Sequence, residues 1–247
     1  MSLNYEYVLQ TALASARADH PRILDYGSGQ GQLIALALAR NVDIYGADVP
    51  GIETNERVRL IVDGRIPFED NWFDIVVSNQ VFEHVANPKP VLEEIHRVLK
   101  PGGALIALFP DDAVWFEGHV GLYFVHWLAR FPRLARSYLI LSHKLGLGYF
   151  RGTEDAKSWA RKMQHLLATD VFHHAPRDIE AWISDIFGER PTSLAHDWMV
   201  FRIAASNRLR RFSRIARHPW LSRPLAFVCR IRAGSVLIVC KKPPSSS

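Results

Sequence analysis

The sequence predicts an α/β fold: a doubly wound, mostly parallel sheet with a helical cap insertion. Two observations carry that prediction. Short apolar runs alternate with amphipathic stretches from residue 21 to 110, the pattern of strands covered on both faces. A glycine-rich bend, Gly27, Gly29 and Gly31, directly follows the first of those runs. The 247 residues, 48% of them apolar, suffice for a single enzyme-sized domain with a core of its own.

Tyr5, Val8, Leu9, Leu13 and Ala16 recur at helical spacing and predict an amphipathic leading helix. RILDYG then reads as a strand, QLIALALARN as a helix, VDIYGADV and VRLIVDG as strands, FDIVVSNQ as a strand, PKPVLEEIHRVLK as a helix, PGG as a turn and ALIALFP as a strand. The alternation stops at Asp111. Residues 111–175, rich in aromatics, Arg and His, are expected to cap the sheet, with helices around GLYFVHWLARF and EDAKSWARKMQHLLA. PRDIEAWISDIFG is bounded as a helix by Pro176 near its start and Gly188 after its end. TSLAHDWMVFRIA and GSVLIVCKK are expected to be the last two strands, with residues 205–233 inserted between them, and the tail KKPPSSS is expected to fray.

Composition narrows the class. The longest uncharged run, residues 26–39, is too short and glycine-rich to span a bilayer, and no secretory leader pattern is visible, so a cytoplasmic protein is expected. The two cysteines, Cys229 and Cys240, lack metal-ligand spacing. Charge is unevenly placed: from Phe201 onward there are 11 Lys and Arg and no acidic residue, while the remainder holds 19 basic against 25 acidic residues. Such a stretch favours phospholipid head groups, a phosphate-bearing substrate or nucleic acid, or is a solvated face with no partner.

Glycine allows a sharp turn and close approach of backbone N–H groups to a ligand, at the strand end where open parallel sheets bind their ligands. No Lys-Ser/Thr pair follows the bend, which excludes a P-loop, and Gln32 stands where the dinucleotide fingerprint has its last glycine. Asp48, at the end of the next strand, is placed to accept the hydroxyl protons of a ribose. Nicotinamide and adenosyl cofactors share that feature.

The bend after Asp25, then Asp48, IPFEDNWFD, VFEHVANP and VLKPGG occur in one order. With these five elements the chain resembles the class I S-adenosylmethionine-dependent methyltransferases of the small-molecule type, densely over residues 21–110. The resemblance implies a Rossmann-like sheet of seven strands with the last antiparallel, and S-adenosyl-L-methionine as cofactor, leaving S-adenosyl-L-homocysteine as product. It implies that Asp25, Gly27 and Gly29 line the methionine end of the cofactor, with Ser28 and Gly31 of the same loop among the contacts. Asp48 would hold the ribose, the backbone around Asp63 and Gly64 would meet the adenine, and Asn79 and Gln80 would border the transfer site. DGRIPF is one residue shorter than the usual family segment, which leaves open whether the Asp63 side chain itself reaches the adenine.

Methyl transfer needs an aligned acceptor and, for a hydroxyl acceptor, a group to take its proton. The candidates are His119 with Glu117, and His84, which with Glu83 can instead fix the loop before the 88–100 helix. His126, set among Phe124, Trp127 and Leu128, reads equally as a core histidine, and His173 and His174 either reach the site or pack against the helix that follows. Glu117, His119 and Asp111 make no compact metal-ligand cluster in sequence, so no metal is expected.

In residues 205–233, Leu209, Phe212, Ile215 and Ala216 recur at helical spacing while five arginines between 208 and 217 fall largely elsewhere. An anionic membrane surface, nucleic acid with Phe212 and Trp220 as stacking platforms, or simple packing of the apolar residues are the three readings. The expected activity is methylation of an oxygen on a small molecule, a sugar or a lipid-linked glycan. The alternatives are nucleic-acid methylation, disfavoured because SNQVF follows the fourth strand where those enzymes carry Asn/Asp-Pro-Pro-aromatic, and a catalytically silent binding module.

Overall fold

The computed structural model describes residues 3–233 and 236–243. Strands β1 (Arg22–Tyr26), β2 (Asp43–Asp48), β3 (Val58–Leu60), β4 (Phe73–Asn79), β5 (Leu99–Phe109), β6 (Thr192–Ser193) and β7 (Val236–Lys241) form one sheet in the order β3-β2-β1-β4-β5-β7-β6. The first five pair in parallel. β7 runs antiparallel to both β5 and β6. The order reverses between β1 and β4, and their carboxyl ends open a crevice there.

Successive side chains of a strand point to opposite faces, and here both faces are covered. Ile23, Ile75 and Ile106 enter one core with Val8 and Ala12 of α1 (Leu3–Ser15) and Leu33 and Ala37 of α2 (Gln32–Leu38). Leu24, Val76 and Leu105 enter the other with Leu92 and Ile95 of α3 (Pro88–Val98). This is why the strands read as unbroken apolar runs. α3 starts where the Asn87 side chain accepts from the Lys89 N–H and Pro88 takes the first turn.

Between β5 and β6 stands a third core, built from Val120, Leu122, Val125, Leu139, Trp159 and Met163. GLYFVHWLARF is not helical: Leu122–Tyr123 pairs with Phe116–Glu117 in a small hairpin, followed by a single 3-10 turn at His126–Leu128. Gly121, at φ +74, lies against the Tyr149 ring and carries the turn. α4 (Pro132–Lys144), which periodicity did not single out, packs on α5 (Ala156–Thr169). α6 (Pro176–Phe187) then runs to Gly188, whose left-handed conformation ends it.

The expected strand TSLAHDWMVFRIA keeps only Thr192 and Ser193 in the sheet; α7 (Ala195–Ala205) takes the rest. Ala195 and Trp198 fall on one face at a spacing of three, and Trp198 is buried against Tyr7 at 4.9 Å. A run apolar at most positions and without alternation carries no strand period, so tertiary burial decided it. The segment before β7 therefore leaves the sheet at Leu194, and continues through α8 (Ser213–Ala216) and α9 (Ser222–Val228) into a π turn, Cys229–Ala233. Packing explains only part of its apolar content: Ala216 and Cys229 are buried, whereas Ile215, Trp220 and Phe227 are at least 60% exposed. No described helix is long and apolar enough to cross a membrane. Residues 244–247 of the tail and the Cys240 side chain lie outside the described residues.

Arg230 of the π turn anchors this segment by donating to both Asp111 oxygens, from Nε at 2.5 Å. Asp111 is fully buried, and its carboxylate also accepts from the Ala113 N–H. Arg230→Ala leaves that carboxylate without its cation and should cost about 1–3 kcal/mol in urea denaturation. A loss under about 0.5 kcal/mol would show that the pair does not hold the segment.

Candidate functional site

The crevice begins where β1 ends. Gly27, Gly29 and Gly31 all take left-handed φ values of +51 to +75. Gly27 has no alternative: a Cβ there would come within 2.3 Å of Val81 on the far side of the crevice. Gly29 and Gly31 are different, because a Cβ on either would meet nothing within 4 Å. Space therefore lies open over the loop.

Asp48 faces it from β2. The Gly29 N–H donates to Asp48 Oδ2 at 2.6 Å, and the Val49 N–H donates to Oδ1 at 2.7 Å. One lone pair on each oxygen stays available, pointing away from the backbone that fixes them. Asp25 is buried beneath the loop, 3% exposed. Burial, with the Asp48 charge as a second cause, pushes its carboxyl up to about 7. Ser28 is also buried, but its hydroxyl turns toward β2, where a Cβ at Gly46 would sit 2.8 Å from it. That hydroxyl has no hydrogen-bond partner among the described residues.

At the end of β4, Asn79 Oδ1 is buried without a hydrogen-bond partner among the described residues, and Gln80 takes a left-handed φ of +60 with its N–H bonded to Leu108 O. The 3-10 turn Phe82–His84 follows. Residues 170–174 are strapped across it: the Phe172 N–H donates to Glu83 O at 2.6 Å, His84 Nδ1 bonds Asp170 O at 2.8 Å, and His174 Nε2 bonds Val85 O at 2.8 Å. His174 also packs edge-on to Trp182 of α6, so it holds the strap. The Glu83 carboxylate is 2% exposed, and burial pushes it up to about 7.

The cap hairpin supplies the opposite wall. Buried Glu117 accepts from His119 Nδ1 at 2.7 Å and from the Val120 N–H at 2.7 Å. The hydrogen bond to Glu117 holds the His119 imidazole above its usual pKa. His119 and Glu117 line a cavity of about 220 Å³ together with Gln80, His173, Asn4 of α1, and two arginines, Arg202 and Arg232. His173 is held down at about 4, first by burial and then by His126, on which it stacks at 4.5 Å. It is a neutral wall of the cavity at pH 7. His126 sits behind it, with neither ring nitrogen hydrogen-bonded among the described residues.

Gln80, Glu117 and His119 thus meet in one cavity. Asp63 and Gly64 do not line it: they form an exposed turn, at φ +50 and +75, facing a groove of about 700 Å³ shared with Pro90 and Glu93. Asp111 is taken by Arg230 and is no partner of His119. The His84 and His119 rings are 5.1 Å apart, although 35 residues separate them in sequence. Arg202 and Arg232 escaped sequence reasoning, where they were merely two charges of a basic stretch; α7 and the π turn carry them over the cavity.

Residues 24–107 match the family described as a methyltransferase domain. A demethylmenaquinone methyltransferase of Clavibacter sepedonicus is 34% identical over 109 residues, which is 38% of this chain and 44% of that protein. The mitochondrial arginine-hydroxylase NDUFAF5 of Mus musculus is 33% identical over 107 residues, 39% of this chain and 31% of that protein. The chain thus spans less than half the length of these curated relatives. A solved S-adenosylmethionine dependent methyltransferase from Mesorhizobium loti superimposes with a TM-score of 0.55 at 12% identity, over 97% of this chain and 98% of that one, a likeness of fold.

The raised Asp25 carboxyl has a measurable consequence. Below about pH 4 it is protonated in folded and unfolded chains alike and contributes nothing. As pH rises from 3.8, its ordinary value, to about 7, the unfolded chain ionises first and the folded state loses stability. Asp25→Asn should therefore match the parent near pH 4 and exceed it by up to about 4 kcal/mol at pH 8, measured by denaturant titration. An equal difference at both pH values would show that Asp25 is not held protonated.

Proposed function

We propose that this chain, whose residues 24–107 match a methyltransferase domain, acts as a class I S-adenosylmethionine-dependent methyltransferase on an oxygen of an anionic small molecule, sugar or lipid-linked glycan. The observation that carries the reading is the open space over Gly29 and Gly31, faced by the two fixed oxygens of Asp48 at the carboxyl ends of β1 and β2. Bound S-adenosylmethionine supplies an electrophilic methyl group that needs positioning more than activation.

Each residue then has a part. Asp48 offers its remaining lone pairs to the two ribose hydroxyls. Asp25, Gly27, Ser28, Gly29 and Gly31 surround the methionine end, where a cationic ligand draws Asp25 into its charged form. Asn79 Oδ1, buried and without a partner among the described residues, and Gln80 border the transfer point. Asp63 and Gly64, on their exposed turn, flank the adenine. His119 is held by Glu117 with Nδ1 engaged, so Nε2 is the atom presented to an acceptor hydroxyl. His84 closes the same wall. Because Glu117 raises His119, turnover by this route rises with pH as the imidazole loses its proton.

The acceptor side is cationic. Arg202 and Arg232 line the cavity opposite His119, and guanidinium groups suit a carboxylate or phosphate. Beyond them, Trp220 is 82% exposed, Phe227 60% and Ile215 62%, among Arg208, Arg210, Arg211, Arg214, Arg217 and Arg223. An apolar group ringed by arginines suits an anionic membrane surface, from which a lipid-linked acceptor would reach the cavity.

Calorimetric titration should detect S-adenosylmethionine binding, and Asp48→Ala should weaken it by about 1–3 kcal/mol through loss of charge-assisted hydrogen bonds. No binding by the parent would leave a silent module with this fold, and unchanged affinity in the variant would remove the ribose role. Sedimentation with vesicles should recover the protein with anionic lipid at low salt and much less with zwitterionic lipid. Trp220→Ala should reduce the anionic recovery, and equal recovery from both lipids would end the membrane reading.

A further inference from the structure

We infer that Glu83, His84 and His119 form a binding site for a divalent transition-metal ion at the edge of the acceptor cavity. These three residues bring one ligand atom each within 4.8 Å of one another. Neighbouring nitrogen ligands of a tetrahedral ion stand roughly 3.4 Å apart, from bond lengths near 2.1 Å. The 4.8 Å is an upper bound on those separations, and the remaining closure needs only a pivot of the exposed His84 ring that keeps its Nδ1 bond to Asp170 O.

Three independent features point to an ion. Glu83 Oε2 is buried, on a side chain only 2% exposed, and has no hydrogen-bond partner among the described residues. A buried carboxylate oxygen left in that state needs a cation or a proton to satisfy it. Both imidazoles have Nδ1 engaged by an outer partner, as one nitrogen of a metal-bound histidine is, which leaves Nε2 as the ligand atom of each. His84 uses Nδ1 on the Asp170 carbonyl, and His119 uses Nδ1 on the Glu117 carboxylate. Glu117 is itself fixed by the Val120 N–H. The arrangement reaches three protein ligands and stops, which leaves coordination positions open, and His119 faces the cavity where an acceptor would lie.

Two nitrogens and one carboxylate select the borderline divalent ions, such as zinc, cobalt, manganese and iron, over calcium and magnesium, which prefer all-oxygen sites. The ion would take an acceptor hydroxyl as a further ligand and lower its pKa, so that its proton would pass to solvent as the oxygen bonds the methyl carbon and the C–S bond breaks. His119 Nε2 is then committed to the metal, and the ion replaces the imidazole as the group that activates the acceptor. That last role depends on the proposed methyl transfer; ion binding does not.

The test is direct metal titration of the full chain after dialysis against a chelator. Cobalt(II), followed by its visible absorption, and zinc(II), followed by calorimetry, should each bind at one equivalent. Glu83→Gln, His84→Ala and His119→Ala should each weaken binding at least about tenfold, and Glu117→Gln about 10–100-fold by releasing the His119 ring. His84→Ala alters an exposed side chain and keeps the test alive should Glu83→Gln fail to fold, with near-ultraviolet circular dichroism as the check. Asp48→Ala should bind both ions as the parent does. Failure of the parent to bind either ion stoichiometrically, or variants binding as tightly as the parent, would overturn the site. S-adenosylmethionine titration is read separately, so loss of cofactor binding with intact metal binding would sink the methyl-transfer reading alone.

Discussion

The hydrogen bond from the Gly29 N–H to the Asp48 carboxylate joins the ends of β1 and β2, and the rest of the crevice is arranged around it. It holds a left-handed loop away from the sheet at the point where the strand order reverses. It also aims the acidic side chain into the space the loop encloses. A charge-assisted bond of this kind, backed by Gly27 N–H to Ala47 O at 2.8 Å, keeps the backbone donors preorganised. Gly27 cannot carry a side chain because Val81 closes the other side. The loop, β2 and the end of β4 therefore form one rigid frame.

The second wall depends on the strap at residues 170–174. Its three hydrogen bonds to Glu83, His84 and Val85 bring the cap down onto the end of β4. One consequence is electrostatic. Glu83 is sealed from water, and the hairpin that carries Glu117 and His119 closes over it. The cap thereby turns a loop after a strand into a cluster of two carboxylates and two imidazoles beside a cavity of about 220 Å³. Concentrations of titratable groups beside a cavity are where ligand chemistry gathers.

The segment before β7 divides its arginines between jobs. Arg230 neutralises buried Asp111 at the end of β5, while Arg202 and Arg232 face the cavity. The remaining arginines stay among exposed aromatic and aliphatic side chains. The same stretch thus ties itself to the sheet, gives the cavity around His119 its positive wall and presents a basic apolar surface outward.

The sequence alone determined the parallel sheet, the helices α1, α2, α3, α5 and α6, and the glycine bend with Asp48, because these follow from local periods, caps and one short backbone requirement. The RILDYG strand and its loop were legible since a strand buried on both faces and a turn needing positive φ each leave a local mark. Only the tertiary structure decided that residues 195–205 are a helix, since a run apolar at most positions has no period and takes its form from the surface it covers. It alone decided that residues 118–125 turn back in a hairpin, and that His84 and His119 meet. The pairing of two histidines 35 positions apart, like the approach of Arg202 and Arg232 to the cavity, depends on how the cap and the last insertion pack onto the sheet. No spacing along a chain encodes a distance that packing sets.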